Sequence, residues 1–126
     1  MRAFLVTLIL LITPVLVIAT EPLPDWLDKK LNETPINTTQ DYTGKITETA
    51  NPALATRIDE INKYQYKGMT TYLVPGGCCD TYTSLYDAEG NYICAPSGGL
   101  SGRGDGTCPD FMKEATDKEV VWQKKQ

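Results

Sequence analysis

The sequence predicts an α+β fold: a small antiparallel β-meander with one or two short helices, stapled by disulfides. Three observations predict it. A short apolar helical stripe at Trp26, Leu27 and Leu31 precedes the sheet region. From Ile61 onward the pattern switches to period-two alternation punctuated by glycine turns. Four cysteines lie in a chain of 126 residues whose N-terminus reads as an export signal, the setting in which cysteines pair.

The export signal spans residues 1–19. Arg2 supplies the positive start, residues 3–19 form an apolar run broken only by Thr7, Thr13 and Pro14, and Val17-Ile18-Ala19 offers small residues before a cut. The run is shorter than the ~20 residues a spanning helix needs, and no cysteine follows it for lipid attachment. Cleavage after Ala19 leaves 107 residues; with Arg2 gone, 11 basic residues face 16 acidic ones. That balance excludes nucleic acid and an anionic membrane surface as partners, because both demand a basic face. Histidine is absent, which removes His-dependent triads and metal sites. The cysteines contain no C-x-x-C pair, so a structural zinc site is not indicated.

Residues 20–50 read as an N-terminal helix and a Thr-rich linker. Pro24-Asp25-Trp26-Leu27 opens the helix. From Asn32 to Ala50, six of nineteen residues are threonine and few are apolar, too little to bury, so this stretch reads as a linker or loosely held loop. Asn32-Glu33-Thr34 and Asn37-Thr38-Thr39 are glycosylation sequons, which carry meaning only in a eukaryotic secretory route.

Residues 51–126 read as the folded domain. Asn51-Pro52 is a helix start, with Leu54, Ile58 and Ile61 as its stripe. Alternation of Tyr64 and Tyr66, a turn at Gly68, and resumed alternation at Tyr72 and Val74 predict a hairpin of 61–67 with 69–75. A second hairpin pairs Thr81–Tyr86 with Tyr92–Cys94 across Asp87-Ala88-Glu89-Gly90-Asn91, a turn closed by a left-handed glycine. Counting outward pairs Tyr86 with Tyr92, Leu85 with Ile93 and Ser84 with Cys94. Residues 97–107 form a glycine loop, Pro109-Asp110-Phe111-Met112 starts a helical turn, and Glu119–Trp122 forms a last strand.

The run Cys78-Cys79-Asp80, Leu85-Tyr86-Asp87, Gly90-Asn91, Ile93-Cys94-Ala95-Pro96, Gly98-Gly99, Gly104-Asp105-Gly106 and Cys108-Pro109-Asp110-Phe111 resembles a family of small exported bacterial proteins, many of them lipoproteins, built around a domain of unknown function. The likeness extends more weakly over about 24–123. It implies the fold and extracytoplasmic placement, secreted or periplasmic, and brings no activity. The missing lipid-attachment cysteine departs from the pattern, as does the longer Thr-rich segment.

Five groups of residues are candidates for function. Cys78, Cys79, Cys94 and Cys108 read as two structural disulfides. On a regular strand Cys78 lies roughly 20 Å beyond Ser84, while a disulfide needs Cα atoms within ~7 Å. Either the Cys78-Cys79 segment folds back and each cysteine takes a separate partner, which is favoured, or Cys94 pairs with Cys108 and the adjacent two bond each other or stay free. Arg103, Asp105 and Asp110 mark the glycine loop as a possible ligand or calcium loop. The carboxylates and loop carbonyls suit a hard cation, and the amides with Arg103 suit an anion. The blander reading, in which the glycines supply positive φ and Asp105 bonds its own loop, is preferred. No cofactor is expected otherwise. Arg103-Gly104-Asp105 also spells an integrin-binding tripeptide, which three letters match by chance. Tyr64, Tyr66 and Tyr72 offer an aromatic face for a carbohydrate or peptide, or simply sheet packing. Asp59-Glu60 and Asp87/Glu89 suggest no cleft for paired-carboxylate catalysis.

The expectation is a non-enzymatic exported binding or structural module whose partner is another extracytoplasmic protein or a polysaccharide. The competing reading is an extracellular inhibitor or polymer-acting enzyme that uses Ala95–Thr107, held between Cys94 and Cys108.

Overall fold

A computed structural model describes residues 21–33, 36–40, 43–50 and 52–126. The export segment over 1–19 and the Asn51 cap lie outside the described residues. Among those described, no helix is long and apolar enough to cross a membrane.

Helix α1 (Asp25–Asn32) carries Asp25 and Asp28 in its first turn and Lys29 and Lys30 in its last, the charge order that complements a helix dipole. Leu27 and Leu31, one turn apart, are fully buried, so the apolar stripe faces the sheet as its spacing predicts. The Thr-rich stretch departs from expectation. It forms an antiparallel pair, β1 (Ile36–Gln40) with β2 (Ile46–Ala50), in place of a loose linker. Threonine is β-branched and suits an extended backbone, so a segment too polar for a core still forms a ladder.

Helix α2 (Leu54–Arg57) is a single turn rather than a helix reaching Ile61. It buries Leu54, and Ile58 follows it into the core. The sheet is five-stranded, in the order β6-β5-β4-β3-β7: β3 (Glu60–Tyr66), β4 (Met69–Val74), β5 (Tyr82–Asp87), β6 (Tyr92–Gly98) and β7 (Thr116–Gln123). All neighbours are antiparallel. The first predicted hairpin is β3–β4, closed by Lys67 and Gly68, both at positive φ. The second is β5–β6, where Gly90 sits at φ +88° and the Asp87 carboxylate accepts the N–H groups of Glu89 and Asn91. A single-turn helix, α3 (Phe111–Glu114), leads into β7. The domain is therefore more β than the predicted mixture, with three short helices among the described residues.

Two small cores lie on opposite faces of this sheet. On one, Leu27, Leu31, Leu54 and Ile58 pack on Ile61, Tyr72 and Val74. On the other, Phe111 packs with Tyr66, Leu85, Cys94 and Cys108. Period-two alternation explains the split, since Ile61 and Tyr66, or Tyr72 and Leu73, point to opposite sides. The predicted register holds for the first pair and fails for the two beyond it, Leu85–Ile93 and Ser84–Cys94. Tyr86 pairs with Tyr92, but Leu85 pairs with Cys94 rather than Ile93. A bulge at Ile93 sets two residues opposite one, which turns Cys94 onto the face of Leu85 and Phe111.

Candidate functional site

The glycine loop is an edge cover. β6 is the outermost strand on its side of the sheet, and an uncovered edge exposes a row of unpaired backbone groups. The loop occupies that row. Asp105 N–H donates to Ala95 O at 2.9 Å and Gly104 N–H donates to Gly98 O at 3.0 Å. In return Ala95 N–H donates to Asp105 Oδ2 at 2.9 Å. The loop can lie this close only because Gly104 lacks a side chain: a Cβ there would stand 1.8 Å from Ala95 O.

Asp105 is consumed by this arrangement. Besides Ala95, its oxygens accept the Tyr92 hydroxyl at 2.6 Å, the Thr107 N–H at 2.9 Å and the Thr107 hydroxyl at 2.6 Å. These donors, the Thr107 hydroxyl first and Tyr92 next, hold its carboxyl well below the usual carboxylate range. The same bond pushes the Tyr92 phenol up to about 12. Asp110 has its own donors. Lys67 Nζ stands 2.8 Å from Oδ2 and the Tyr66 hydroxyl donates to Oδ1 at 2.6 Å, which lowers Asp110 to about 2. The two carboxylates predicted to act together share no donor. Among the described residues, no group of three or more acidic or cysteine side chains is placed to hold a metal. Arg103 is exposed, and its backbone N–H reaches only the Ser101 hydroxyl, at 3.3 Å. The acid of Arg103-Gly104-Asp105 is engaged by Tyr92, Ala95 and Thr107.

The tyrosines do not form one face. Tyr64 and Tyr66 pack edge-on to Phe111, with ring centroids 5.2 and 5.1 Å away. Tyr72 lies on the opposite side, edge-on to Trp26 at 5.7 Å. The packing reading of these rings is the one the structure supports. Of the surface carboxylates, Asp87 caps its turn, and Glu60 accepts the Asn62 amide at 2.9 Å.

The cysteine sulfurs lie at disulfide distance as Cys78–Cys79 and Cys94–Cys108. The favoured expectation of separate partners for the adjacent two is overturned here. The bulge at Ile93 is the reason: it directs Cys94 into the core toward Cys108, which starts the α3 turn by accepting the Phe111 N–H.

The surface with room for a ligand lies elsewhere, on the α1 and α2 side. A cavity of about 270 Å³ is lined by Lys30, Glu33, Leu54, Arg57, Val74, Pro75 and Tyr86, with Glu33 paired to Lys29 at 3.5 Å. A more open cleft of about 460 Å³ adjoins it and also borders Arg57, Pro75 and Gly76, then runs on to Cys78 and Cys79. Arg57 thus stands at the join. It is exposed and makes no ion pair among the described residues. Lys30 Nζ sits 4.8 Å from the centre of the Tyr86 ring. Sequence reasoning missed this groove because its members come from α1, α2, β4 and β5, and nothing local marks them. The one available signal was Pro75-Gly76-Gly77, which ends β4 at Val74 and opens the connection to β5.

A family described as "Domain of unknown function (DUF6970)" matches residues 46–124. The chain belongs to that family. The match takes in the whole five-stranded sheet, the glycine loop and all four cysteines, but begins at Ile46, so α1 and β1 lie before it. The wall of the groove that carries Lys30 therefore comes from outside the matched region. No curated protein matches the chain, and no solved structure matches it.

Proposed function

We propose that the protein is an exported, non-enzymatic binding module, and that its groove takes an extended, carboxylate-bearing segment of another extracytoplasmic protein. The observation that carries this reading is Arg57, an exposed guanidinium without an ion-pair partner among the described residues, at the join of two adjoining clefts. Leu54, Val74 and Pro75 give the groove an apolar floor, which suits side chains flanking an acidic residue. A sugar is the weaker fit. Stacking needs an open ring face, and Tyr86 has Lys30 over its ring and Trp26 against it at 5.4 Å. Catalysis is not part of the reading, because the carboxylates of the glycine loop are taken up by the chain's own donors.

Trp26 contacts Tyr86, which lines the groove, so an occupant alters its emission. The test titrates a Trp122→Phe variant, where Trp26 reports alone, with an acidic leucine-containing peptide and separately with oligogalacturonate. A saturable change with the peptide, lost in Arg57→Glu while the fold is kept, supports the reading. A response to oligogalacturonate only, or one that survives Arg57→Glu, overturns it.

A further inference from the structure

The two cysteine pairs occupy opposite kinds of environment. Cys94 and Cys108 are 1% and 5% exposed, sit in the Phe111 core, and are fourteen residues apart. Cys78 and Cys79 are neighbours in the chain, both exposed, and belong to neither core. A cross-link stabilises a fold mainly by closing a loop in the unfolded chain. Between adjacent residues there is no loop to close, so this pair is not a staple.

Its position suits a different use. The pair opens on the cleft of about 460 Å³, whose wall beside it is formed by Gly76, Gly77 and Gly98. Both cysteines are exposed at this open cleft, so a small thiol reaches them from solvent. Arg57 lines the same cleft, as do Asp59 and Glu60, so approach to the pair is set by access rather than by charge. The local backbone is held without help from the sulfurs: Thr81 donates both its N–H, at 3.2 Å, and its hydroxyl to Cys78 O. Opening the bond therefore leaves the turn in place.

We propose that Cys78–Cys79 is a thiol–disulfide exchange site for low-molecular-weight thiols, cycling between disulfide and dithiol while Cys94–Cys108 stays closed. A dithiol reductant supplies the electrons. Its first thiolate bonds to one cysteine Sγ as the Sγ–Sγ bond breaks, and the released cysteine thiolate takes a proton. Its second thiolate then attacks the sulfur already attached, displacing the other cysteine, which is also protonated. Two electrons have passed to the pair, and the reductant leaves as its cyclic disulfide. The reverse steps, with a small disulfide as oxidant, restore the bond.

The experiment equilibrates the folded protein with graded ratios of reduced to oxidised dithiothreitol, quenches with iodoacetamide, and maps alkylation after cleavage between Tyr86 and Asp87. Cys78 and Cys79 should be alkylated at a ratio about ten-fold or more below that which opens Cys94–Cys108. Opening of both pairs at one ratio, or of Cys94–Cys108 first, overturns the proposal. So does a peptide linking Cys78 or Cys79 to Cys94 or Cys108. Melting supplies an independent arm: Cys78→Ser with Cys79→Ser should leave the midpoint unchanged, whereas Cys94→Ser with Cys108→Ser lowers it. A fall of equal size in both double variants would return the adjacent pair to a structural role.

Discussion

Gly104→Ala probes the edge cover at its tightest point. The added methyl would stand 1.8 Å from Ala95 O and 2.7 Å from the Pro96 carbonyl carbon, both of them backbone, so no side chain can rotate away. The loop must lift. Gly104 is at φ +74°, and a Cβ in that region costs about 1 kcal/mol by itself. Lifting also breaks the bonds from Asp105 N–H to Ala95 O and from Gly104 N–H to Gly98 O. Each is worth about 1 kcal/mol net, and more where the freed partner is buried, as Ala95 is at 0% exposure. The sum is about 3 kcal/mol. Gly102→Ala provides the control: its φ is +71°, yet nothing lies within 4 Å of the added carbon, so only the backbone term of about 1 kcal/mol applies. In urea unfolding, with a slope of about 1 kcal/mol per molar for a domain this small, Gly104→Ala should lower the midpoint by about 3 M and Gly102→Ala by about 1 M. Equal shifts in the two variants would refute the edge-cover account.

Four further outcomes follow from the same contacts. Phe111→Ala should cost about 3–5 kcal/mol in equilibrium unfolding, since Phe111 is 1% exposed and centres the core beneath the loop; a loss below about 1 kcal/mol would mean that this core is not cooperative with the sheet. Acid should destabilise the fold through Asp105 and Asp110. Both carboxyls are depressed on folding, so their contribution is complete above the unfolded value of about 3.9 and is lost as pH falls toward 2. Asp110→Asn should flatten that decline in a melting series from pH 5 to pH 2, and an unaltered slope would remove Asp110 from the account. Calcium and a chelator should give the same melting midpoint, because a cation at Asp105 would have to displace its four donors; a rise with calcium would contradict the donor set. Tyr92 should be among the last phenols to ionise in an alkaline absorbance titration, and Asp105→Asn should bring it back toward 10.

Much of the fold was legible because it is written in local pattern. Leu27 and Leu31 declare a buried helical face by being four apart. Lys67-Gly68 and Asp87–Asn91 declare turns by chemistry that only tight reversals use. The Thr-rich segment was misread because low apolarity reports on burial, whereas a two-strand ladder needs only extended backbone and partners for its amides. The register slip at Ile93 was invisible for another reason. A bulge is selected by what it brings together, here Cys94 and the Phe111 core, and that partner is remote in sequence. The glycine loop drew attention for its composition, and its residues proved to be engaged with one another and with β6. The groove drew none, because Lys30, Arg57, Pro75 and Tyr86 are ordinary residues until the fold sets them side by side.

The amino-acid sequence by itself determined the antiparallel sheet, its two hairpins and the helical stripe that packs on it, because alternation, turn residues and four-residue spacing act over a few positions. It also carried a composition without histidine and with more acidic than basic residues. Only the tertiary structure decided that β7 joins the far edge beside β3, that the sheet carries a separate core on each face, and that the cysteines divide into a buried pair and an exposed one. Those outcomes depend on which distant surfaces fit against each other, a sum over many weak contacts that no single stretch of the chain contains.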